Sequence, residues 1–184
     1  MAPMTKSGVL VPGDLLLGLF AQEIVKDNPG AAVAFDVKAS IALTDYLNRL
    51  GAQPIMAPTG HSIVKDAMKK NNALVAGELS CHFFFKDRYF GYDDGVYAMM
   101  RLFELLKKEQ KSLDELLAVY PKMHTSKEFR IDCQEDQKKL IVQTVKDIFA
   151  QKDNAELLTI DGVRVTMPYG WGLLRASNTQ PALS

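Results

Sequence analysis

Residues 31–37 read AAVAFDV, a short apolar run of the kind that favours a buried strand. Ser40 then stands where a helix N-cap is expected, and Gly51 stands where that helix would end. The same order repeats, with strands predicted over 52–57 and 73–76 and a helix predicted over 62–71. Alternation of strand and helix is typical of a parallel-type sheet with flanking helices, an α/β fold.

The segments on either side extend this unit. The predicted elements are a helix over 14–26, an extended piece over 83–85, and helices over 93–106 and 112–119. Pro121 follows the last of these helices and suggests a boundary, because proline does not continue a helix. We therefore expect an α/β domain over residues 8–121.

The remaining residues show a different pattern. The predicted elements are an extended piece over 128–132, a helix over 135–150, a hairpin joining 156–160 to 163–167, and a strand over 171–176. Asp161-Gly162 is a typical hairpin turn. Residues 122–184 are therefore expected to form an α+β domain that is cut short.

Composition narrows the range of functions. Lys+Arg and Asp+Glu each number 22, so the net charge of the 184-residue chain is zero, and no basic run with interleaved aromatics indicates nucleic-acid binding.

No apolar run approaches the roughly 20 residues that span a bilayer, and residues 1–7 lack the apolar core of a signal peptide. Cys81 and Cys133 form no disulfide framework and have no zinc spacing. A cytoplasmic protein is expected.

Polar side chains follow three of the predicted strands. Lys38, His61 and Glu78 each come within a few residues of a strand end. In sheets of this kind, ligands bind beyond the carboxyl ends of the strands. The loop Gly77–His82 also groups a carboxylate, a hydroxyl and an imidazole, which together can hydrogen-bond neighbouring hydroxyls of a sugar. An ordinary surface turn is the alternative reading of these residues.

A second polar loop, residues 175–181, reads RASNTQP. It places a guanidinium beside hydroxyl and amide donors, a set that suits a phosphate dianion. Serine, asparagine, threonine and proline all favour turns as well, so composition alone leaves an ordinary polar turn open.

With both loops in view, the chain resembles the α-D-phosphohexomutase family, in particular bacterial phosphomannomutase/phosphoglucomutase enzymes. Further matches are 36–38 (DVK), 59–62 (TGHS), 83–95 and 170–172 (GWG), so the resemblance extends from about Pro12 to Leu183. It implies the third domain of a four-domain enzyme and an incomplete fourth. No segment resembles the Ser-His-Asn-Pro loop of the phosphorylated serine or the Asp-x-Asp-x-Asp-Arg loop for Mg²⁺. The resemblance therefore indicates a fragment of a longer enzyme.

The resemblance also implies roles for individual residues. Glu78 and Ser80 would hold sugar hydroxyls, and Lys38 and His61 would contact phosphate or ring oxygens. His82 is the candidate general acid/base, since an imidazole titrates near neutral pH. The residues implied in phosphate binding are Arg175, Ser177, Asn178 and Thr179. The alternatives are a structural histidine at 82 and a solvated surface lysine at 38.

The implied reaction interconverts hexose 1-phosphate and hexose 6-phosphate through a phosphoserine and a bisphosphorylated sugar. Mg²⁺ would bind to the complete enzyme, with ligands outside this chain, and a hexose bisphosphate would act as activator and intermediate. The expected partners are mannose or glucose phosphates and the missing N-terminal domains, with no nucleic acid and no membrane. The chain alone is expected to be inactive. The alternative is a non-catalytic regulatory module that binds sugar phosphates.

Three smaller expectations concern packing. Cys81 stands where the family pattern has glycine, which suggests a loop that is distorted or a site that is changed. Asp93 and Asp94 are expected to serve only the dipole of the following helix. Met99-Met100 and the nearby apolar residues, which are Leu102, Phe103 and Leu106, are expected to be helix core.

Overall fold

The computed structural model describes residues 1–177 and 180–184. The chain divides into two compact units, Met1–Met123 and His124–Ser184. The elements of the first unit are α1 (Gly13–Asp27), β1 (Ala32–Asp36), α2 (Ile41–Arg49), β2 (Gln53–Ala57), α3 (His61–Lys70), β3 (Val75–Gly77), β4 (Phe83–Phe85), α4 (Gly95–Glu109) and α5 (Leu113–Leu117).

The sheet of the first unit has the strand order β2-β1-β3-β4. β1 runs parallel to β2 and to β3, as the alternation of strand and helix predicts. β4 is antiparallel to β3, because the loop 78–82 between them is far too short for a parallel crossover. The predicted α/β fold, with a sheet containing parallel strands and flanking helices, is confirmed.

The two faces of the sheet pack against different helices. Val33 and Phe35 of β1 point to the larger core, where Phe20 of α1 makes edge contacts with Phe83 and Phe85 at ring distances of 5.4 and 5.0 Å. On the other face, a smaller cluster joins Ala34 and Phe84 to α3. Since neighbouring strand residues point to opposite faces, the run Phe83–Phe85 contributes to both cores.

One local expectation for this unit is confirmed in position, and one concerning α4 is wrong. Ser40 is the N-cap residue of α2 as predicted, although its side chain makes no capping hydrogen bond and its backbone N–H donates to Asp14 Oδ2 at 2.8 Å. In α4, Met99, Met100 and Phe103 are exposed, while Leu102 is buried. The apolar positions of α4 extend around more of the helix than its buried face covers, so spacing alone could not separate core from surface.

The elements of the second unit are β5 (Ile131–Asp132), α6 (Glu135–Ala150), β6 (Glu156–Leu158), β7 (Val163–Met167), β8 (Gly170–Leu174) and β9 (Ala182–Leu183). β6, β7 and β8 form an antiparallel three-stranded sheet, and α6 spans the predicted residues. β9 pairs with β5 in a separate ribbon that the sequence did not predict. Two-residue strands carry no periodicity, so only the folded chain reveals this pairing.

Candidate functional site

A buried carboxylate joins the strand ends of the first unit. Asp36, the last residue of β1, accepts a hydrogen bond from Leu79 N–H at Oδ1 (3.0 Å) and one from Thr59 Oγ1 at Oδ2 (3.4 Å). Burial raises the pKa of Asp36, and the nearby Glu78 carboxylate adds to the rise, while the Leu79 hydrogen bond opposes it. Asp36 therefore fixes the positions of the loops that follow β2 and β3.

Glu78 and Ser80 lie in the tight loop after β3. Glu78 N–H donates to the His82 carbonyl at 3.0 Å, and Cys81 N–H donates to the Glu78 carbonyl at 2.9 Å. Glu78 is only 5% exposed, whereas Ser80 is exposed. The loop thus holds a carboxylate at the buried end of the site and a hydroxyl at its surface. Lys38, half-buried just after β1, places a positive charge near Asp36.

Cys81 adopts a left-handed backbone conformation, with φ +67°. This conformation is the one that glycine adopts at little cost, which explains why glycine suits the position. The Cys81 thiol is buried and burial raises its pKa, so the thiolate is disfavoured and the side chain is a poor nucleophile. Met1 N donates to the Cys81 carbonyl at 2.9 Å.

Two histidines meet at one carboxylate oxygen. His82 Nδ1 lies 2.7 Å from Asp93 Oδ2, and His61 Nε2 lies 3.2 Å from the same oxygen. The imidazoles pack edge to face with ring centroids 5.7 Å apart, and their side chains are 47% (His82) and 49% (His61) exposed. A ligand can therefore reach both rings at once.

The prediction that Asp93 and Asp94 serve only the helix dipole is wrong for Asp93. Asp94 is the N-cap of α4 and accepts hydrogen bonds from Val96 N–H and Tyr97 N–H, both at 2.9 Å. Asp93 lies outside the helix and contacts the histidines instead. This role could not be predicted from the sequence, because two adjacent aspartates before a helix look alike.

In the second unit, the Arg175 guanidinium is already paired. Arg175 Nε donates to Asp161 Oδ2 at 3.1 Å, and the Arg175 backbone exchanges hydrogen bonds with Ser184. Ser177 is half-buried, and its Oγ accepts from Gln180 N–H at 3.2 Å. Asn178 and Thr179, also predicted to bind phosphate, lie outside the described residues. An anion arriving at Arg175 would compete with a carboxylate.

A buried lysine holds the same loop. Lys138 of α6 donates from Nζ to the carbonyl oxygens of Ser177 (2.8 Å) and Gln180 (2.9 Å), and it pairs with Glu135 at 2.6 Å. Ser177 and Gln180 stand on either side of Asn178 and Thr179 in the sequence. Lys138 was not predicted as a functional residue, because in the sequence it looks like any other charged residue of an amphipathic helix.

The part of the chain that the structure describes contains no group of three or more His, Cys, Asp or Glu residues arranged to hold a metal ion. Within the same residues, no helix is both long and apolar enough to cross a membrane.

The first unit is therefore an α/β/α domain with a group of polar side chains beyond the ends of its strands. Residues 12–123 match the family model described as phosphoglucomutase/phosphomannomutase, alpha/beta/alpha domain III. The chain therefore belongs to the phosphoglucomutase/phosphomannomutase family.

Individual relatives agree with this assignment. A phosphomannomutase/phosphoglucomutase of Pseudomonas syringae is 46% identical over 98% of this chain, and a phosphoglucomutase of Neisseria gonorrhoeae is 44% identical over 98%. A crystal structure of a family protein from Burkholderia thailandensis covers 99% of the chain with a TM-score of 0.88 and 38% identity. The chain spans only 38%, 39% and 38% of these proteins, respectively.

Proposed function

We propose that this chain supplies the sugar- and phosphate-binding loops of a phosphohexomutase that interconverts hexose 1-phosphate and hexose 6-phosphate. In this proposal a phosphoserine on another part of the enzyme donates the phosphoryl group, and a bisphosphorylated hexose is the intermediate. The partners are mannose or glucose phosphates and the remaining domains of the same enzyme, in the cytoplasm. The names of the relatives support the reaction class.

The observation that carries the proposal is the loop 78–82, in which a backbone hydrogen bond ties the buried Glu78 to His82, whose imidazole is accessible. A carboxylate held away from water binds hydroxyl donors strongly, and it rejects a ligand that leaves it unpaired. Ser80 adds a hydroxyl at the surface of the same loop. Glu78 and Ser80 would thus recognise the sugar hydroxyls, while Lys38 and His61 would contact phosphate or ring oxygens.

His82 is the proposed general acid/base. A reacting hydroxyl must lose a proton as it attacks the phosphorus, and the leaving oxygen must gain one. An exposed imidazole next to the sugar can perform both steps in turn. Arg175 and Ser177, with Asn178 and Thr179, would bind the phosphate that is not reacting, and binding remote from the reaction centre orients the transfer.

Mg²⁺ supplies neutralisation of phosphoryl charge in reactions of this type. The described residues contain no cluster that fits the ion, so we propose that its ligands lie elsewhere in the enzyme. A hexose bisphosphate is the proposed activator.

Binding to the 184-residue chain tests the proposal. In NMR titrations, glucose 1-phosphate should shift the amides of loop 78–82 more than inorganic phosphate does. Glu78→Gln should weaken sugar phosphate binding by roughly tenfold or more, since a charged hydrogen bond contributes about 1.5–3 kcal/mol. Glu156→Gln, at an exposed carboxylate, is the matched control. Absence of any sugar-specific shift in loop 78–82 would overturn the assignment.

A turnover assay separates the proposal from its alternative. With glucose 1-phosphate and a bisphosphate activator, the chain alone should show no mutase activity, and its affinity for sugar phosphates should be weak. A non-catalytic regulatory module would instead bind a sugar phosphate tightly without other domains. Turnover equal to that of a complete enzyme would contradict the predicted inactivity.

A further inference from the structure

We infer that Asp93 is a positioning residue that fixes the tautomer of His82. It thereby decides which ring nitrogen of His82 a ligand meets. The importance of this inference for catalysis rests on the proposed function, but the tautomer itself is a property of the chain alone.

The geometry follows from one hydrogen bond. Asp93 Oδ2 lies 2.7 Å from His82 Nδ1 in hydrogen-bond geometry, while His61 Nε2 is a nearby charge partner at 3.2 Å. An ionised carboxylate oxygen only accepts hydrogen bonds, so His82 Nδ1 must carry the proton. The neutral His82 ring is therefore Nδ1–H, and its lone pair remains on Nε2.

The fold holds Asp93 firmly in this place. Its backbone forms a bridge with Phe84 in β4, and the Phe84 ring packs edge to face against His61 with centroids 4.9 Å apart. The next residue, Asp94, is anchored by capping α4. His61 is the first residue of α3, and His82 directly precedes β4. All three side chains are thus mounted at the ends of regular elements, where small displacements are resisted.

The tautomer of His82 decides what a ligand meets at Nε2. His82 presents the Nε2 lone pair, which can take a proton from a hydroxyl and later return it from the same nitrogen. The imidazolium formed in between would lie beside the Asp93 carboxylate. Without Asp93, the ring would favour the Nε2–H form common to free histidine, which has no lone pair at Nε2. A carboxylate that holds a catalytic histidine in its working tautomer is known from hydrolytic triads.

The tautomer can be read directly from ring ¹⁵N chemical shifts. In long-range ¹H–¹⁵N spectra of the labelled chain, at a pH where the ring is neutral, His82 should show a protonated Nδ1. In Asp93→Ala, His82 should change predominantly to Nε2–H. Asp93→Asn tests removal of the charge alone and should give a mixture at His82. Asp94→Asn retains a good helix cap and should leave both rings as in the wild type.

The spectra of the wild type and of Asp93→Ala each test the role of Asp93. A wild-type His82 protonated at Nε2 would overturn it, whether or not any variant folds. An unchanged His82 spectrum in a folded Asp93→Ala chain would overturn it too. Adding glucose 1-phosphate to the wild type then separates the two proposals: the predicted His82 tautomer with no ligand-dependent shift would support the role of Asp93 and contradict the sugar phosphate site.

Discussion

Gly13, the first residue of α1, lies directly against the carbonyl of Glu78. A Cβ atom at position 13 would stand 2.3 Å from the Glu78 carbonyl oxygen and 2.8 Å from both Cys81 N and Leu79 O. All three contacts are to backbone, which cannot rotate away. The backbone of the loop that carries the predicted sugar-binding residues therefore packs directly against the first residue of α1, which must be glycine to leave room for it.

Gly13→Ala should destabilise the first unit and displace the loop. Overpacking against well-ordered neighbours costs about 1–3 kcal/mol, and a contact this short falls at the upper end of that range. Urea denaturation measures the change. Gly95→Ala is the matched control, because Gly95 is also the first residue of its helix and a Cβ there meets nothing closer than 3.9 Å. Equal stability of the two variants would contradict the prediction.

Cys81→Gly should be more stable than Cys81→Ala. Both substitutions remove the buried thiol, but only glycine adopts φ +67° without strain. The left-handed conformation costs other residues about 1–2 kcal/mol, which favours the glycine variant. The greater conformational freedom of glycine in the unfolded chain offsets part of this stabilisation. We expect a difference of about 1 kcal/mol in the free energy of unfolding. An alanine variant as stable as the glycine variant would show that the backbone there is unstrained.

The sequence predicted those parts of the fold that depend on local patterns. Alternating apolar runs and helix signals identified β1, β2 and β3 with the helices between them, and the turn residues Asp161-Gly162 identified the β6–β7 hairpin. In both cases the deciding residues lie within a few positions of one another. The family assignment, which rested on two polar loops and several further short segments, is also confirmed.

What the sequence could not show depends on contacts between distant residues. Asp93 meets a histidine 32 positions earlier in the chain, and the Lys138 ammonium meets the carbonyls of Ser177 and Gln180. Neither residue type signals its partner, since most aspartates and lysines are solvated. The phosphate role of Arg175 stays a prediction, and its pairing with Asp161 was equally unforeseen.

Asp36 should make stability depend on pH in the direction opposite to most carboxylates. Burial raises its pKa, so between the ordinary and the raised value the folded chain holds a proton that the unfolded chain releases. The contribution of Asp36 to stability is therefore complete below the ordinary pKa of the unfolded chain. It is lost as the pH rises through the raised pKa of the folded chain. Asp36→Asn removes this titration while retaining an acceptor for Leu79 N–H.

The stability of Asp36→Asn relative to wild type should accordingly increase as the pH rises from about 3 to neutrality. Urea denaturation at several pH values gives the difference, and taking the difference cancels the titration of groups such as Glu104, whose pKa is lowered by Arg88. A difference that stays constant across this range would mean that the pKa of Asp36 is the same in the folded and unfolded chains.

Lys138→Met should destabilise the second unit by about 2–4 kcal/mol. Methionine fills a similar volume, but it leaves the carbonyls of Ser177 and Gln180 without their donor and Glu135 without its partner. Lys139→Met, at the exposed neighbouring position, should change stability by no more than about 0.5 kcal/mol. Amide hydrogen exchange should also accelerate at residues 177 and 180 in the first variant alone. Unaltered exchange there would mean that the loop holds its conformation without the lysine, and that Lys138 contributes only charge.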